Sequence, residues 1–154
     1  MSINIAVDLT ANDSAPMWGP GQHYVDGASG KGFRYYKFNN GAGNVAAVAG
    51  NFAYFLAVSG ASAGEVTEVT MDLSDSAGVG AGVFQAVLTD GYYGWFQVSG
   101  QATLTTALTA GADGNALTAV GATDGTLDVS ALVTDAICAI AIDASAKIVR
   151  LCCP

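Results

Sequence analysis

Positive charge is scarce in this chain: Lys and Arg number 5 against 13 Asp and Glu, a formal net charge of −8. A surface of that sign is repelled by phosphate backbones and by anionic lipid, which argues against direct nucleic-acid or membrane binding. Charge of either sign is sparse as well, at 12% of residues against 51% hydrophobic. Such a chain is too apolar for disorder and has little polar material to cover a monomer, so some apolar surface is expected to be buried between subunits. Long hydrophobic runs are missing too. The longest, from Val45 to Val58, is broken by Gly50-Asn51 and falls short of the roughly 18 residues of a spanning helix. The first residues, Met1-Ser2-Ile3-Asn4-Ile5, carry neither a basic region nor a long apolar core, so no secretory signal is expected. A soluble chain made in a cytosol follows. The cysteines, Cys138, Cys152 and Cys153, lack the spacing of a zinc site or a secreted disulfide framework and read as free thiols of a reducing compartment. On a strand, adjacent Cys152 and Cys153 would face opposite ways, which disfavours a bridge between them.

What is present is β-pattern. At 154 residues one domain is expected. Ile3, Ile5, Val7 and Leu9 alternate with Asn4, Ala6, Asp8 and Thr10, the period of a half-buried strand. Ala11 to Gly21, with two prolines, reads as an arm or draped loop anchored by Met17 and Trp18. Further strands are expected at Phe33–Phe38, at Glu65–Leu73 and over Phe84–Thr89, with Gly78-Val79-Gly80-Ala81-Gly82 as a glycine-rich connection; Val45–Val58 reads as two buried strands or as a small helix interrupted at Gly50, with strands preferred. Asp90-Gly91 before Tyr92-Tyr93-Gly94-Trp95-Phe96-Gln97-Val98 signals a tight hairpin, because Asp-Gly tolerates positive φ. Turns around Asp113-Gly114 and Asp124-Gly125 alternate with short strands, and Ile137–Ile142 and Ile148–Cys152 close the chain, joined through a possible helical turn at Asp143–Lys147. The class is therefore all-β with at most short helices: a compact small β-sandwich or β-barrel-like domain over residues 19–154, with an extended arm at 1–18.

Catalytic patterns occur but lack their context. Gly60-Ala61-Ser62-Ala63-Gly64 fits the esterase serine elbow, yet the residues after it read as strand, and His23 is the single histidine. Gly41-Ala42-Gly43-Asn44-Val45-Ala46 fits the loose dinucleotide-binding turn without a crossover helix behind it. Asp113, Asp124 and Asp128 could offer oxygens to calcium, but they are not spaced as a calcium loop, and Asp-Gly turns account for them. No catalytic residue, cofactor or metal is assigned. The aromatic set Phe33, Tyr35, Tyr36, Tyr92, Tyr93, Trp95 and Phe96 lacks the positive groove of a base-stacking platform and reads as core plus subunit interface.

Gly32-Phe33-Arg34-Tyr35-Tyr36-Lys37-Phe38, Gly78-Val79-Gly80-Ala81-Gly82-Val83-Phe84 and the Asp90–Gly100 segment resemble the capsid decoration, or cement, proteins of tailed phages. The likeness runs from Gly19 onward and is most specific in the aromatic hairpin. It implies a small β-fold, commonly trimeric, seated on the outer capsid surface of the virion where capsomers meet. It also implies the major capsid protein as partner, an arm reaching across neighbouring subunits, and no enzymatic activity. On this expectation the capsid or subunit interface comprises Ile3, Ile5, Val7, Leu9, Met17, Trp18, Tyr35, Tyr36, Tyr92, Tyr93 and Trp95. The arm could equally pair within its own chain. A carbohydrate- or receptor-binding module of a phage fibre, stacking sugars on Tyr92, Tyr93 and Trp95, is the alternative.

Overall fold

A computed structural model describes residues 6–57 and 67–154. It is all-β. The strands are β1 (His23–Val25), β2 (Gly32–Phe38), β3 (Phe52–Leu56), β4 (Glu68–Thr70), β5 (Ser76–Phe84), β6 (Tyr93–Thr103), β7 (Ala116–Thr118), β8 (Asp128–Val129), β9 (Ile137–Asp143) and β10 (Ile148–Cys152), with a single 3-10 turn at Leu73–Asp75 among the described residues. Strands β2, β4, β3, β5 and β6 pair in that order, and β6 returns to β2, closing a five-stranded barrel. One pair in the ring, β2 with β4, is parallel, and Lys37 Nζ meets Glu68 Oε1 across it at 2.6 Å. Strand β1 pairs with Gly32–Arg34 at the start of β2, on the edge that β4 takes at Lys37–Phe38.

The remaining strands form a leaf that grows from the same β6. Its Arg34-facing part pairs with β2, from Lys37↔Tyr93 to Gly32↔Ser99, and its last residues pair with β10, from Cys152↔Ser99 to Ile148↔Thr103. Beyond β10 follow β9, β7 and the two-residue edge β8. The change of partner falls at Ser99–Gly100, where Gly100 has φ +88. Buried Gln97 holds the bend, its side-chain amide donating to the carbonyls of Ser99 (3.1 Å) and Gln101 (3.0 Å).

Strand alternation sorts the side chains into three apolar layers. Inside the barrel lie Tyr36 and Phe38 of β2, Ala53 of β3, Val69 of β4, Ala81 and Phe84 of β5 and Phe96 of β6. The Phe84 and Phe96 rings are 4.7 Å apart, and truncating either to Ala is expected to cost about 3–5 kcal/mol. The opposite faces of β3 and β5 send Phe52, Tyr54 and Val83 outward against the leaf's Leu117, Ala139, Val149 and Leu151. Tyr54 crosses that layer to donate its hydroxyl to the Thr126 carbonyl at 2.6 Å, and burial raises its phenol pKa. The outer face of β2 and β6 carries the third layer, Phe33, Tyr35 and Trp95.

Several expected boundaries move. Gly78–Gly82 is not a connection but the middle of β5. Bulk is excluded there by close approach: a Cβ on Gly80 would lie 2.7 Å from Cys138 Cβ, and one on Gly82 would lie 2.5 Å from the Gln97 carbonyl oxygen. The strand over Phe84–Thr89 ends at Phe84, and the tight hairpin at Asp90-Gly91 is instead a turn inside the longer 85–92 connection between β5 and β6. Tyr92 N–H closes that turn on the Thr89 carbonyl, and only its second central residue, Gly91, has positive φ (+77). That is type II geometry, which does not match strand twist as the hairpin type does. Residues 45–51 are irregular before β3, the described part of the Glu65–Leu73 strand shrinks to β4, and Asp143–Lys147 closes a hairpin without helix, with Lys147 at φ +60.

The glycines separate two costs. Gly82, at φ +121 against backbone, should lose about 3 kcal/mol or more of unfolding free energy as Gly82→Ala, whereas Gly91, with nothing within 4 Å of its Cβ position, should lose about 1 kcal/mol as Gly91→Ala. Urea denaturation of the two variants measures the difference, and equal losses would contradict the close-approach account.

Candidate interaction site

The described part of the arm lies on its own chain. Val7, Leu9 and Trp18 pack on the Phe33, Tyr35 and Trp95 layer, and the Trp18 and Trp95 rings meet edge-on at 6.0 Å. Asp13 fixes the course: its backbone exchanges two hydrogen bonds with Tyr93, both 2.9 Å, and its carboxylate accepts the Tyr35 hydroxyl at 2.5 Å. The Asn12 side-chain amide adds two bonds to Thr89, donating to its hydroxyl and accepting from its backbone N–H. The expected strand at 3–9 is not formed over residues 6–9, which alternate inward and outward but lack a ladder partner; Asp8 instead caps a turn through the Thr10 N–H and hydroxyl. Ile3 and Ile5 lie outside the described residues, as does Ser62 with its surrounding glycines.

The aromatic residues expected at an interface divide. Tyr35 and Trp95 lie in the outer layer and Tyr36 in the barrel, all buried, so the chain uses them as core. Burial pushes the Tyr36 phenol up to about 12. Tyr93 is half-buried and stacked on Tyr35, Tyr92 is half-buried beside the 89–92 turn, and Met17 stands free in solvent. Among the described residues the buried Trp95 indole N–H has no acceptor, which costs about 1–3 kcal/mol.

A surface that the sequence reading did not single out lies on the leaf. Among the described residues, large exposed hydrophobic side chains concentrate in one stretch: Leu132, Val133, Ile137, Ile140 and Ile142. Ile140 and Ile142 point outward while Ala139 and Ala141 point into the core, and exposed Arg150 and Ala116 flank Ile140 in register. Leu132 and Val133 are held out by a built turn. The Asp135 carboxylate accepts the N–H groups of Ala131 (2.8 Å) and Leu132 (2.9 Å) and the Ser130 hydroxyl (3.2 Å). A signal was present in Ile137-Cys138-Ala139-Ile140-Ala141-Ile142, where small residues alternate with large ones, but hydrophobicity alone suggests that the large ones face inward.

The polar motifs are occupied structurally. Backbone N–H groups that a phosphate would need in the Gly41–Ala46 turn donate to carboxylates, Ala42 to Asp75 (2.6 Å) and Gly43 to Asp72 (2.8 Å). Asp113 accepts the Ala144 N–H, Asp124 the Leu73 N–H and Asp128 the Val129 N–H, three separate turns. No group of three or more His, Cys, Asp or Glu placed to hold a metal occurs among the described residues. His23 lies exposed on edge strand β1. No helix among the described residues is long and apolar enough to cross a membrane.

Comparison with known protein families, with curated proteins and with solved structures found no match for this chain.

The carboxylate turns make stability depend on acid. Asp8, Asp26 and Asp72 are held below the ordinary aspartate range chiefly by the hydroxyls of Thr10, Ser29 and Ser74, and Asp135 and Asp143 chiefly by the N–H groups of Leu132 and Ala146. A carboxyl group lowered in the folded state stabilises it fully above the unfolded pKa, near ~3.9, and loses that contribution as pH falls through the lower folded value. The urea midpoint should therefore hold steady from pH 7 to 5 and drop between about pH 4 and 2. A midpoint unchanged to pH 2 would contradict this role for the aspartates.

Proposed function

We propose that this chain is a non-enzymatic structural virion protein that binds the outer surface of a tailed-phage capsid and stabilises contacts between capsomers, acting as a homotrimer. The observation that carries the reading is the apolar stretch from Leu132 to Ile142, displayed on a sheet face and an anchored turn of an otherwise acidic chain. Contiguous exposed apolar surface of this kind suits a protein partner. The resemblance of the Gly32–Phe38, Gly78–Phe84 and Asp90–Gly100 segments to decoration proteins points to a capsid as that partner.

The energetics suit repeated attachment. Ile137, Ile140 and Ile142 are each about two-fifths exposed, so covering what remains contributes on the order of 1 kcal/mol per side chain. That is weak for one copy. In a trimer spanning several capsid subunits the contacts combine, and avidity supplies the binding strength. The net charge of −8 repels nucleic acid and favours solvent on the surfaces left free. The fibre reading, a sugar platform of Tyr92, Tyr93 and Trp95, is weakened because Trp95 is 1% exposed and its stacking faces are covered by Trp18, Tyr24 and Tyr35.

Co-sedimentation with purified, expanded capsids lacking this protein tests the proposal. The wild-type chain should run as a trimer and bind saturably. Ile140→Asp and Ile142→Asp, on an exposed face, should each weaken binding by about tenfold or more while leaving the melting temperature within about 2 °C. Monodisperse monomers that ignore the capsids would overturn it.

A further inference from the structure

The closing strands bring two cysteines to the same face. Leu151 pairs with Ala139, both directed into the core, so regular alternation would send the preceding Cys138 outward, opposite Cys152. A bulge prevents this. Leu117 pairs with Ala139 and Thr118 with Ile137, which leaves Cys138 as the extra residue of β9 and turns it inward, so that Cys138 and Ala139 are both buried. Cys153, two residues after inward-facing Leu151, packs on the same cluster and is fixed by its N–H bond to the Val98 carbonyl at 3.0 Å. Its thiol donates to the Cys138 carbonyl oxygen at 3.5 Å, and the buried Cys138 thiol donates to the Leu117 carbonyl at 3.6 Å. Cys152 faces solvent, away from both.

We propose that Cys138 and Cys153 are a latent cross-linking site, closed to a disulfide by exchange with a small-molecule disulfide and tying β9 to the end of β10 while Cys152 stays free. In the exchange, one cysteine thiolate attacks the disulfide of oxidised glutathione and releases one glutathione thiolate with the electron pair, which then takes up a proton. The second cysteine, deprotonated to solvent, displaces the other glutathione. Two protein S–H bonds and the glutathione S–S bond are broken, one protein S–S bond is formed, and two reduced glutathiones leave. The neighbouring Cys138 thiol and burial push the Cys153 thiol upward, so attack in the closed structure is slow and the bond forms as the strand end opens or as the chain folds.

The full chain, equilibrated at pH 8 in oxidised and reduced glutathione and then alkylated, is mapped by non-reducing mass spectrometry with fragmentation of the Leu151–Pro154 peptide. Expected are a Cys138–Cys153 link, an alkylated Cys152, and a melting temperature roughly 5–10 °C above that of the reduced chain, reversed by reductant. Cys153→Ser should abolish the link and the shift, and Cys152→Ser should keep both. Full alkylation of all three cysteines after oxidation, or a link through Cys152, would overturn the proposal.

Discussion

The architecture depends on one strand belonging to two sheets. β6 is eleven residues long, about 36 Å of extended chain, and it gives its first part to the barrel and its last part to the leaf. Every apolar layer touches it: Phe96 fills the barrel, Trp95 carries the outer layer, and Ala102 joins the core beneath the leaf. The transition needs a backbone that can bend and carbonyls that remain satisfied when pairing changes. Gly100 supplies the first and the buried Gln97 amide the second. Strand β5 must then pass close to Gln97, which explains its run of small residues.

The acidic character also follows from the fold. All but Glu65 and Glu68 of the 13 acidic residues are aspartates, the short carboxylate suited to capping nearby N–H groups in turns. A chain of many short strands has many turns to hold, and Asp26, Asp72, Asp135 and Asp143 each accept from loop groups within four residues. The negative charge is thus largely a product of turn construction, and its effect on partners comes second.

Much of the strand content was legible. Phe33–Phe38 and Ile148–Cys152 stand where the pattern put them, because β-branched and aromatic runs between breakers have few other uses. The glycine-rich Gly78–Gly82 was misread because local composition cannot report that another strand and the Cys138 side chain will press against it. Asp90-Gly91 makes a turn, as its chemistry requires, but the pairing it serves was set by the barrel. The exposed apolar face of β9 was hardest to see. Isoleucines at 140 and 142 look like core until the small alanines between them prove to be the inward residues. Of the aromatic residues, which composition made the natural interface, all but Tyr92 are drawn into the layers on either side of β2 and β6.

These relations join fold to role. Because the leaf packs its inner face on β3 and β5, the outer face of β9 remains uncovered, while the arm covers the aromatic layer on β2 and β6. On the proposed role, attachment falls to the leaf and the arm closes the structure. A cryo-electron microscopy reconstruction of expanded capsids decorated with the chain tests this most directly. The account predicts trimeric density on the outer surface at capsomer junctions, with Ile140 and Ile142 of each copy turned toward the shell. Density attached through the Val7–Trp18 arm with the β9 face open to solvent, or no density at all, would contradict it.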